Sequence, residues 1–202
     1  MRYRVVSTPV RHQIDIQRSV FIADVARAAS ADEAKSFIQE IRNEFPGATH
    51  HCWAFQTGPP GDTRDMGYSD DGEPHGTAGK PMLQVLMHSG LGELVAVVTR
   101  YYGGTKLGTG GLARAYAQAV NEALDRAQTI ERMDRQRFTC EMDYAHLTAV
   151  ESLIAKVEGL TDDKVFAAGV KLTIQIPVET ITQFERQLAE ITSGSARLES
   201  IT

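Results

Sequence analysis

The order of strand and helix patterns in residues 131–202 constrains the fold more than any other feature of this sequence. Strand patterns cover Arg137–Asp143, Asp163–Ala168, Val170–Pro177 and Arg197–Ile201, and helical patterns cover His146–Val157 and Val178–Ile191. The resulting order, βαββαβ, is that of a ferredoxin-like domain. We therefore predict two domains, residues 1–130 and residues 131–202, with the boundary in the polar segment Gln128–Arg135.

Residues 1–130 predict a second α+β domain. The first 30 residues have the alternation of extended chain, and Ser30 with Glu33 forms a capping box for a helix that ends at Pro46-Gly47. Later patterns predict strands at His51–Thr57 and Leu94–Thr99, a short helix from Lys80, and a helix at Leu112–Ala127. The whole chain is thus of the α+β class.

Charge and cysteine content exclude several function classes. No run of about 18 apolar residues occurs, so we expect no membrane span. The N-terminus lacks the apolar stretch of a signal peptide, and two distant cysteines predict neither a disulfide framework nor a CxxC zinc site, which favours a cytoplasmic protein. The formal net charge of −5 makes non-specific polyanion binding by the whole surface a poor expectation, so any contact with nucleic acid requires a local basic patch.

Residues 58–79 contain six glycines and three prolines among 22 positions. A loop of this length inside a compact domain is typically functional or disordered, and the ordered patterns on both sides favour function. Within it, Asp70, Asp71 and Glu73 could bind a divalent ion or act as a general base, with His50 and His51 nearby in sequence. Alternatively, these acids cap a helix N-terminus or pair with Arg100 or Lys80. No metal-binding spacing supports the first interpretation, so we assign neither metal nor cofactor.

A second candidate segment, Arg100–Gly111, lies between a buried strand and a helix. Backbone N–H groups of a glycine-rich loop can approach an anion, and the dipole of the following helix adds attraction. The alternative is that the glycines only permit close packing. The functional interpretation gives roles to cations (Arg100, Lys106, Arg114), to tyrosines that can stack on bases (Tyr101, Tyr102) and to glycines (Gly103, Gly104, Gly108, Gly110, Gly111).

Three motifs resemble the IMPACT/YigZ family. They are HHCWAF at His50–Phe55, SDDGEPHGTAGKP at Ser69–Pro81, and VVTRYYGGTKLGTGGL at Val97–Leu112. One departure from the family pattern is Thr49, where other members often carry arginine. The resemblance implies an N-terminal domain similar to the second domain of ribosomal protein S5 and a ferredoxin-like C-terminal domain. This pairing is similar to the last two domains of elongation factor G. Eukaryotic relatives add an RWD domain and act on a translation-control kinase pathway, a role we do not expect of this chain.

Three functions follow as hypotheses. In the first, the surface between His50 and Gly111 binds RNA, the ribosome or a translation factor. In the second, the glycine loop and the Asp70/Asp71/Glu73 cluster form a phosphate- or nucleotide-handling enzyme, which we favour less. In the third, the chain is a protein–protein adaptor. The candidate binding residues are His50, His51, Asp70, Asp71, Glu73, Lys80, Arg100, Tyr101, Tyr102, Gly103, Gly104, Lys106, Gly108, Gly110, Gly111 and Arg114. The oligomeric state is not predicted.

Overall fold

A computed structural model describes residues 2–201 of the chain. The chain divides into two compact units, residues 3–132 and residues 133–201, with Arg2 grouped with the second. Each unit has its own hydrophobic core. We describe them separately, as the N-terminal unit and the C-terminal unit.

The N-terminal unit contains seven strands and three helices. The strands are β1 (Arg2–Val6), β2 (Val10–Ile16), β3 (Ser19–Arg27), β4 (His50–Gln56), β5 (Met66–Ser69), β6 (Leu94–Tyr101) and β7 (Thr129–Met133). The helices are α1 (Ala31–Glu44), α2 (Gly79–His88) and α3 (Gly108–Leu124). Strands β1 and β7 form a separate two-stranded sheet, whereas the other five form one sheet in the order β2-β3-β6-β4-β5.

The five-stranded sheet is covered by α2 and α3 on one face and by α1 on the other. Strand β6 lies at its centre and pairs antiparallel with both β3 and β4. Its side chains alternate, because successive residues of a strand point to opposite faces. Ala96 and Val98 therefore pack under α2 and α3, and Val95 and Val97 pack under α1. Arg100 continues the first series, at the end of the central strand.

Local sequence explains where α1 begins. The Ser30 hydroxyl accepts a hydrogen bond from the Glu33 backbone N–H at 3.2 Å, and the Glu33 carboxylate accepts one from the Ala29 backbone N–H at 2.8 Å. Two N–H groups that the helix itself cannot satisfy thus gain partners. Buried Ala34, Ile38 and Ile41 then hold one face of the helix on the sheet.

Two elements differ from the sequence predictions. Residues 58–79 were expected to be loop throughout, but Met66–Ser69 pairs with β4 as the edge strand β5. The sequence shows no strand pattern here, because a four-residue edge strand that contains a glycine has few buried apolar side chains to alternate with polar ones. Helix α3 begins at Gly108 rather than Leu112; the pattern missed this first turn because three of its four residues are glycines, which disfavour a helix and provide no apolar side chain.

The C-terminal unit is a ferredoxin-like domain, as predicted. Its elements are β8 (Arg135–Met142), α4 (Leu147–Lys156), β9 (Leu160–Phe166), β10 (Val170–Pro177), α5 (Ile181–Thr192) and β11 (Arg197–Ile201). The antiparallel sheet has the order β11-β8-β10-β9, and short 3₁₀ turns at Tyr144–His146 and Val178–Thr180 precede the helices. Leu172, Ile174 and Phe184 are fully buried at the centre of its core.

Both cysteines, Cys52 and Cys140, are free buried thiols in different units. Burial raises the pKa of both, that of Cys140 to about 11. Neither thiol is therefore ionised near neutral pH, and both behave as small core side chains. Within residues 2–201, none of the helices combines the length and the apolar character that crossing a bilayer requires.

Candidate functional site

Asp70 caps helix α2 from the end of β5. Its carboxylate accepts hydrogen bonds from the backbone N–H groups of Gly76 at 2.7 Å, Ala78 at 3.0 Å and Gly79 at 2.9 Å. Partial burial alone raises the pKa of this carboxyl, but the three N–H groups outweigh burial and leave the pKa below its usual value. The positive end of α2 is thus occupied by a charge of the protein itself.

Asp71 joins three segments of the N-terminal unit. Its carboxylate accepts hydrogen bonds from Arg42 and from the His51 backbone N–H, both at 2.7 Å, and its carbonyl accepts one from His50 Nδ1 at 2.8 Å. His51 points to the opposite face of β4, where its ring contacts the Phe45 carbonyl at 3.1 Å. Burial lowers the pKa of His51, which favours the neutral ring. The two histidines are therefore split between the two faces of β4, because adjacent residues of a strand point to opposite sides.

Glu73 lies at the centre of a buried network. Its carboxylate pairs with Arg100 and accepts a hydrogen bond from the Tyr116 hydroxyl at 2.8 Å. Arg100 also donates to Ser19 Oγ at 3.3 Å, and its guanidinium lies 5.2 Å from the centroid of the Phe21 ring. Burial is the main cause that raises the pKa of Tyr116, so this hydroxyl stays protonated and donates. The network ties the loop after β5 to β6 and α3.

The three carboxylates thus serve three different sets of partners. Asp70 caps a helix, Asp71 bridges β4 and α1, and Glu73 neutralises Arg100. No group of three or more His, Cys, Asp or Glu side chains in the described part of the chain is arranged to hold a metal ion. The shared oxygen site considered from sequence is not formed, whereas the alternative of helix capping and pairing with Arg100 describes the observed contacts. Lys80, the other candidate partner, lies exposed on α2.

Gly103 has an architectural role in the glycine-rich segment. A Cβ atom at this position would overlap the backbone carbonyl of Arg18 in the turn between β2 and β3, so only glycine allows this approach. Its N–H donates to Ser19 Oγ at 3.2 Å. Gly104 and Gly108 have positive φ values of 85° and 72° and face open space, so they shape the loop that follows.

The N-terminus of α3 differs from that of α2. Leu107 precedes the helix, and no side chain caps it. Gly110 lies in the first turn beside the Arg114 guanidinium, which would be 3.7 Å from a Cβ atom at this position, and Gly111 packs near Leu107. Lys106 lies just before this turn and Arg114 on the next one, both exposed. This end of α3 therefore presents unsatisfied N–H groups and positive charge at one place.

The cations around this turn have no carboxylate partners among residues 2–201. Arg18, Lys80, Lys106 and Arg114 are exposed, and none of them takes part in an ion pair within residues 2–201. In contrast, Arg11, Arg27, Arg42 and Arg64 of the same unit are all paired with acids. We call Arg18, Lys80, Lys106 and Arg114 the cationic surface.

A sequence signal for this surface was missed. Between Pro74 and Asn121 the chain contains a single acidic residue, Glu93, and that residue is buried and paired with Arg27. A stretch of this length with no exposed acid, in an acidic chain, indicates a face of locally positive potential. Arg18 lies outside this stretch of sequence, but the contact between its backbone and Gly103 places it next to the stretch in the folded protein. Only the folded chain could show that contribution.

A groove between α2 and α3 borders the cationic surface. Its volume is about 480 Å³, and it is lined by Pro81, Gln84, Val85, His88, Ser89, Ala113, Arg114, Ala117 and Asn121. The lining combines small apolar side chains with amides and contains no acid. Its chemistry suits a polar or anionic ligand that lies along the helices.

The predicted site residues thus form two adjoining groups. His50, His51, Asp70, Asp71, Glu73 and Arg100 make contacts within the fold that hold the loop after β5 in place. Lys80, Tyr102, Gly104, Lys106, Gly108, Gly110 and Arg114 are exposed, Gly111 is half-buried beside them, and Gly103 holds their loop on the β2–β3 turn. Tyr101 is half-buried on the α1 face, so of the two tyrosines only Tyr102 stands out into solvent.

Fold and site together define a two-domain α+β protein, with an S5 domain 2-like unit that carries an exposed basic face and a ferredoxin-like unit. Comparisons agree: the Impact N-terminal domain matches residues 17–124, and a domain of unknown function (DUF1949) matches residues 140–195. The chain belongs to the IMPACT family.

Relatives match over almost the whole chain. IMPACT family member YigZ of Escherichia coli is 41% identical over 98% of this chain and 97% of its own length. An IMPACT family member of Haemophilus influenzae is 42% identical over 95% of this chain and 93% of its own. A crystal structure of a hypothetical protein, 40% identical, covers 100% of this chain and 98% of its own with a TM-score of 0.72.

Proposed function

We propose that this protein is a translation-associated RNA-binding protein whose cationic surface contacts the RNA backbone. The observation that carries the proposal is that Arg18, Lys80, Lys106 and Arg114 are exposed and make no ion pair within residues 2–201. Unpaired arginine and lysine side chains release counterions from phosphates on binding, which supplies most of the affinity for nucleic acids. An acidic chain gains this property only through such a local patch.

The uncapped end of α3 adds to the same surface. Backbone N–H groups at a helix N-terminus bind phosphate oxygens, and Lys106 lies immediately before them. The similarity of the domain pairing to the last two domains of elongation factor G favours RNA of the ribosome as the ligand. The enzyme hypothesis has less support, because the carboxylates it requires are used within the fold.

Fluorescence anisotropy with ribosomal RNA fragments over a salt series tests the proposal. The variant K80Q/K106Q/R114Q should bind more weakly, and its plot of log affinity against log salt should be less steep by about 2, from about 0.7 per phosphate contact. The control K35Q/K156Q/R186Q removes the same charge from exposed positions elsewhere and should bind as the native protein does.

Two results would contradict the proposal. One is that the native protein binds no RNA even at low salt. The other is an equal loss of affinity in the two triple variants, which would show that net charge and not this surface is responsible. Recovery of an acidic protein partner, with no RNA bound, would instead support the adaptor hypothesis.

A further inference from the structure

Tyr102 is an exposed aromatic side chain at the edge of the cationic surface. Its side chain is 47% exposed, although the preceding Tyr101 is half-buried. It follows β6 directly and begins the loop that contains Lys106. The Tyr102 backbone N–H donates to Thr49 Oγ1 at 3.2 Å, which fixes the backbone at this point.

One face of the Tyr102 ring is held by Arg100. The guanidinium carbon lies 5.5 Å from the ring centroid, within the range of a cation–π interaction. Arg100 is itself fixed, because it is only 5% exposed, pairs with Glu73 and lies over Phe21. The ring is therefore backed by a rigid cation, while a large part of it remains accessible.

A ring held in this way is suited to stacking. A base that stacks on it does not have to immobilise a free side chain, so little conformational entropy is lost on binding. Arg100 is neutralised by Glu73, so the charge that favours a phosphate-bearing ligand with a π-face comes from the exposed cations beside the ring. Nucleotides have both features.

We infer that Tyr102 is a stacking platform for an unpaired base, and that the ligand of the cationic surface is single-stranded RNA. This inference rests on the proposed function. Bases inside a duplex are covered on both faces by their neighbours, so only an unstacked base can place its face on a side chain. Lys106 and Arg18 then lie beside the phosphates next to that base, and Arg114 leads toward the groove between α2 and α3.

The groove fits a single strand better than a duplex. Its volume of about 480 Å³ is that of a small-ligand cleft. Its side-chain amides, Gln84 and Asn121, can reach base edges and 2′-hydroxyl groups that a single strand exposes. A duplex would contact only the cations at the rim.

The experiment compares two RNA probes by fluorescence anisotropy at low salt. One is a labelled oligouridine of about 12 nucleotides, and the other is a fully paired hairpin of similar charge. The variants are Tyr102→Leu, Tyr102→Phe, and the control Tyr68→Leu, which removes another exposed tyrosine of the same unit, 44% exposed. Circular dichroism and thermal unfolding check that each variant is folded.

The expected result distinguishes the contribution of the Tyr102 ring to RNA affinity from that of the cationic surface. Tyr102→Leu should weaken binding of oligouridine about 5- to 100-fold and leave hairpin binding within about twofold. Tyr102→Phe and Tyr68→Leu should bind both probes as the native protein does. The native protein should prefer the single strand.

Other outcomes overturn the inference and show where it failed. If Tyr102→Leu binds oligouridine normally, or loses both probes equally, Tyr102 is not a stacking platform. If K80Q/K106Q/R114Q then still loses affinity for both probes, the proposed function stands and only the single-strand inference is wrong. If the native protein binds neither probe, both proposals fail.

Discussion

At the scale of single residues, Asp70 shows how this chain uses its acids. One side chain satisfies the N–H groups of Ala78 and Gly79 at the start of α2, which the helix cannot satisfy itself, and that of Gly76 in the loop before it. The carboxylate is most effective when ionised, and its pKa is below the usual value in the folded protein. A pKa lowered on folding stabilises the protein above the ordinary pKa of aspartate, and the contribution disappears as the pH falls through the folded value.

Replacing Asp70 therefore has a pH-dependent cost. Asp70→Asn should lower the free energy of unfolding by about 1–2 kcal/mol at about pH 7, because the amide oxygen accepts fewer and weaker hydrogen bonds. The difference from the native protein should shrink at about pH 3, which lies below the ordinary pKa of aspartate, since the carboxyl of the unfolded chain is then increasingly protonated. Urea unfolding of the native protein and the variant at the two pH values measures the free-energy difference and its decrease at low pH. The control Asp32→Asn, at an exposed position in the first turn of α1, should cost less than about 0.5 kcal/mol.

Sequence alone could predict the types of contact for these residues but not the partners. It left two interpretations of the acids of residues 70–73 open, a divalent-ion or general-base site and helix capping or pairing with a cation, and the contacts observed are those of the second. It could not divide them among α2, α1 and Arg100, because Arg42 and Tyr116 lie far away in sequence. The role of Gly103 could not be predicted either. A glycine in a loop is compatible with ligand approach and with close packing, and the contact with the β2–β3 turn shows that close packing requires it.

At the scale of elements, the loop after β5 is held by one buried ion pair. Glu73 connects it to β6 through Arg100 and to α3 through Tyr116. A buried pair contributes little net stability compared with apolar residues, but removal of one partner leaves the other charge without compensation. The position of the loop, and through Arg100 that of Tyr102, therefore depends on Glu73.

Two substitutions measure this connection. Glu73→Gln should lower the free energy of unfolding by about 3–5 kcal/mol, because Arg100 stays buried with no counter-charge. Tyr116→Phe removes only one hydrogen bond to the same carboxylate and should cost about 1–3 kcal/mol. Urea unfolding provides both values. A cost for Glu73→Gln no larger than that for Tyr116→Phe would show that Arg100 can reach solvent.

Elements with strong periodicity were predictable, and weakly buried ones were not. The order of the C-terminal unit was visible because its strands alternate and its helices carry regular apolar stripes. Strand β5 and the first turn of α3 were missed, since both are rich in glycine and owe their structure to neighbouring elements. The exposed cations were visible as residues, but their lack of carboxylate partners is a tertiary property.

At the scale of the whole molecule, each unit has a separate core and one buried thiol. Cys52 lies in the core between the sheet and α2–α3, and Cys140 lies in the core of the C-terminal unit. Their pKa values are raised by burial, so labelling reagents react only when a core opens. The two cysteines therefore report on the two units individually.

This arrangement permits a site-resolved test of stability. Leu172→Ala removes a fully buried side chain from the C-terminal core and should destabilise that unit by about 2–5 kcal/mol. Labelling of Cys140 should accelerate by a larger factor than labelling of Cys52, as measured by mass spectrometry of peptides after timed alkylation. Equal acceleration at both cysteines would mean that the two cores open in a single event.

The contact between Gly103 and the β2–β3 turn has a mechanical consequence. Because no side chain separates the two backbones, the turn at Arg18 supports the loop that begins at Tyr102 by direct backbone contact. Proteolytic cleavage after Arg18, or an insertion in the β2–β3 turn, would remove this contact with Gly103. Trypsin cleavage of this single peptide bond, far from Tyr102 in sequence, should therefore displace the loop that carries Tyr102 and leave the helices in place.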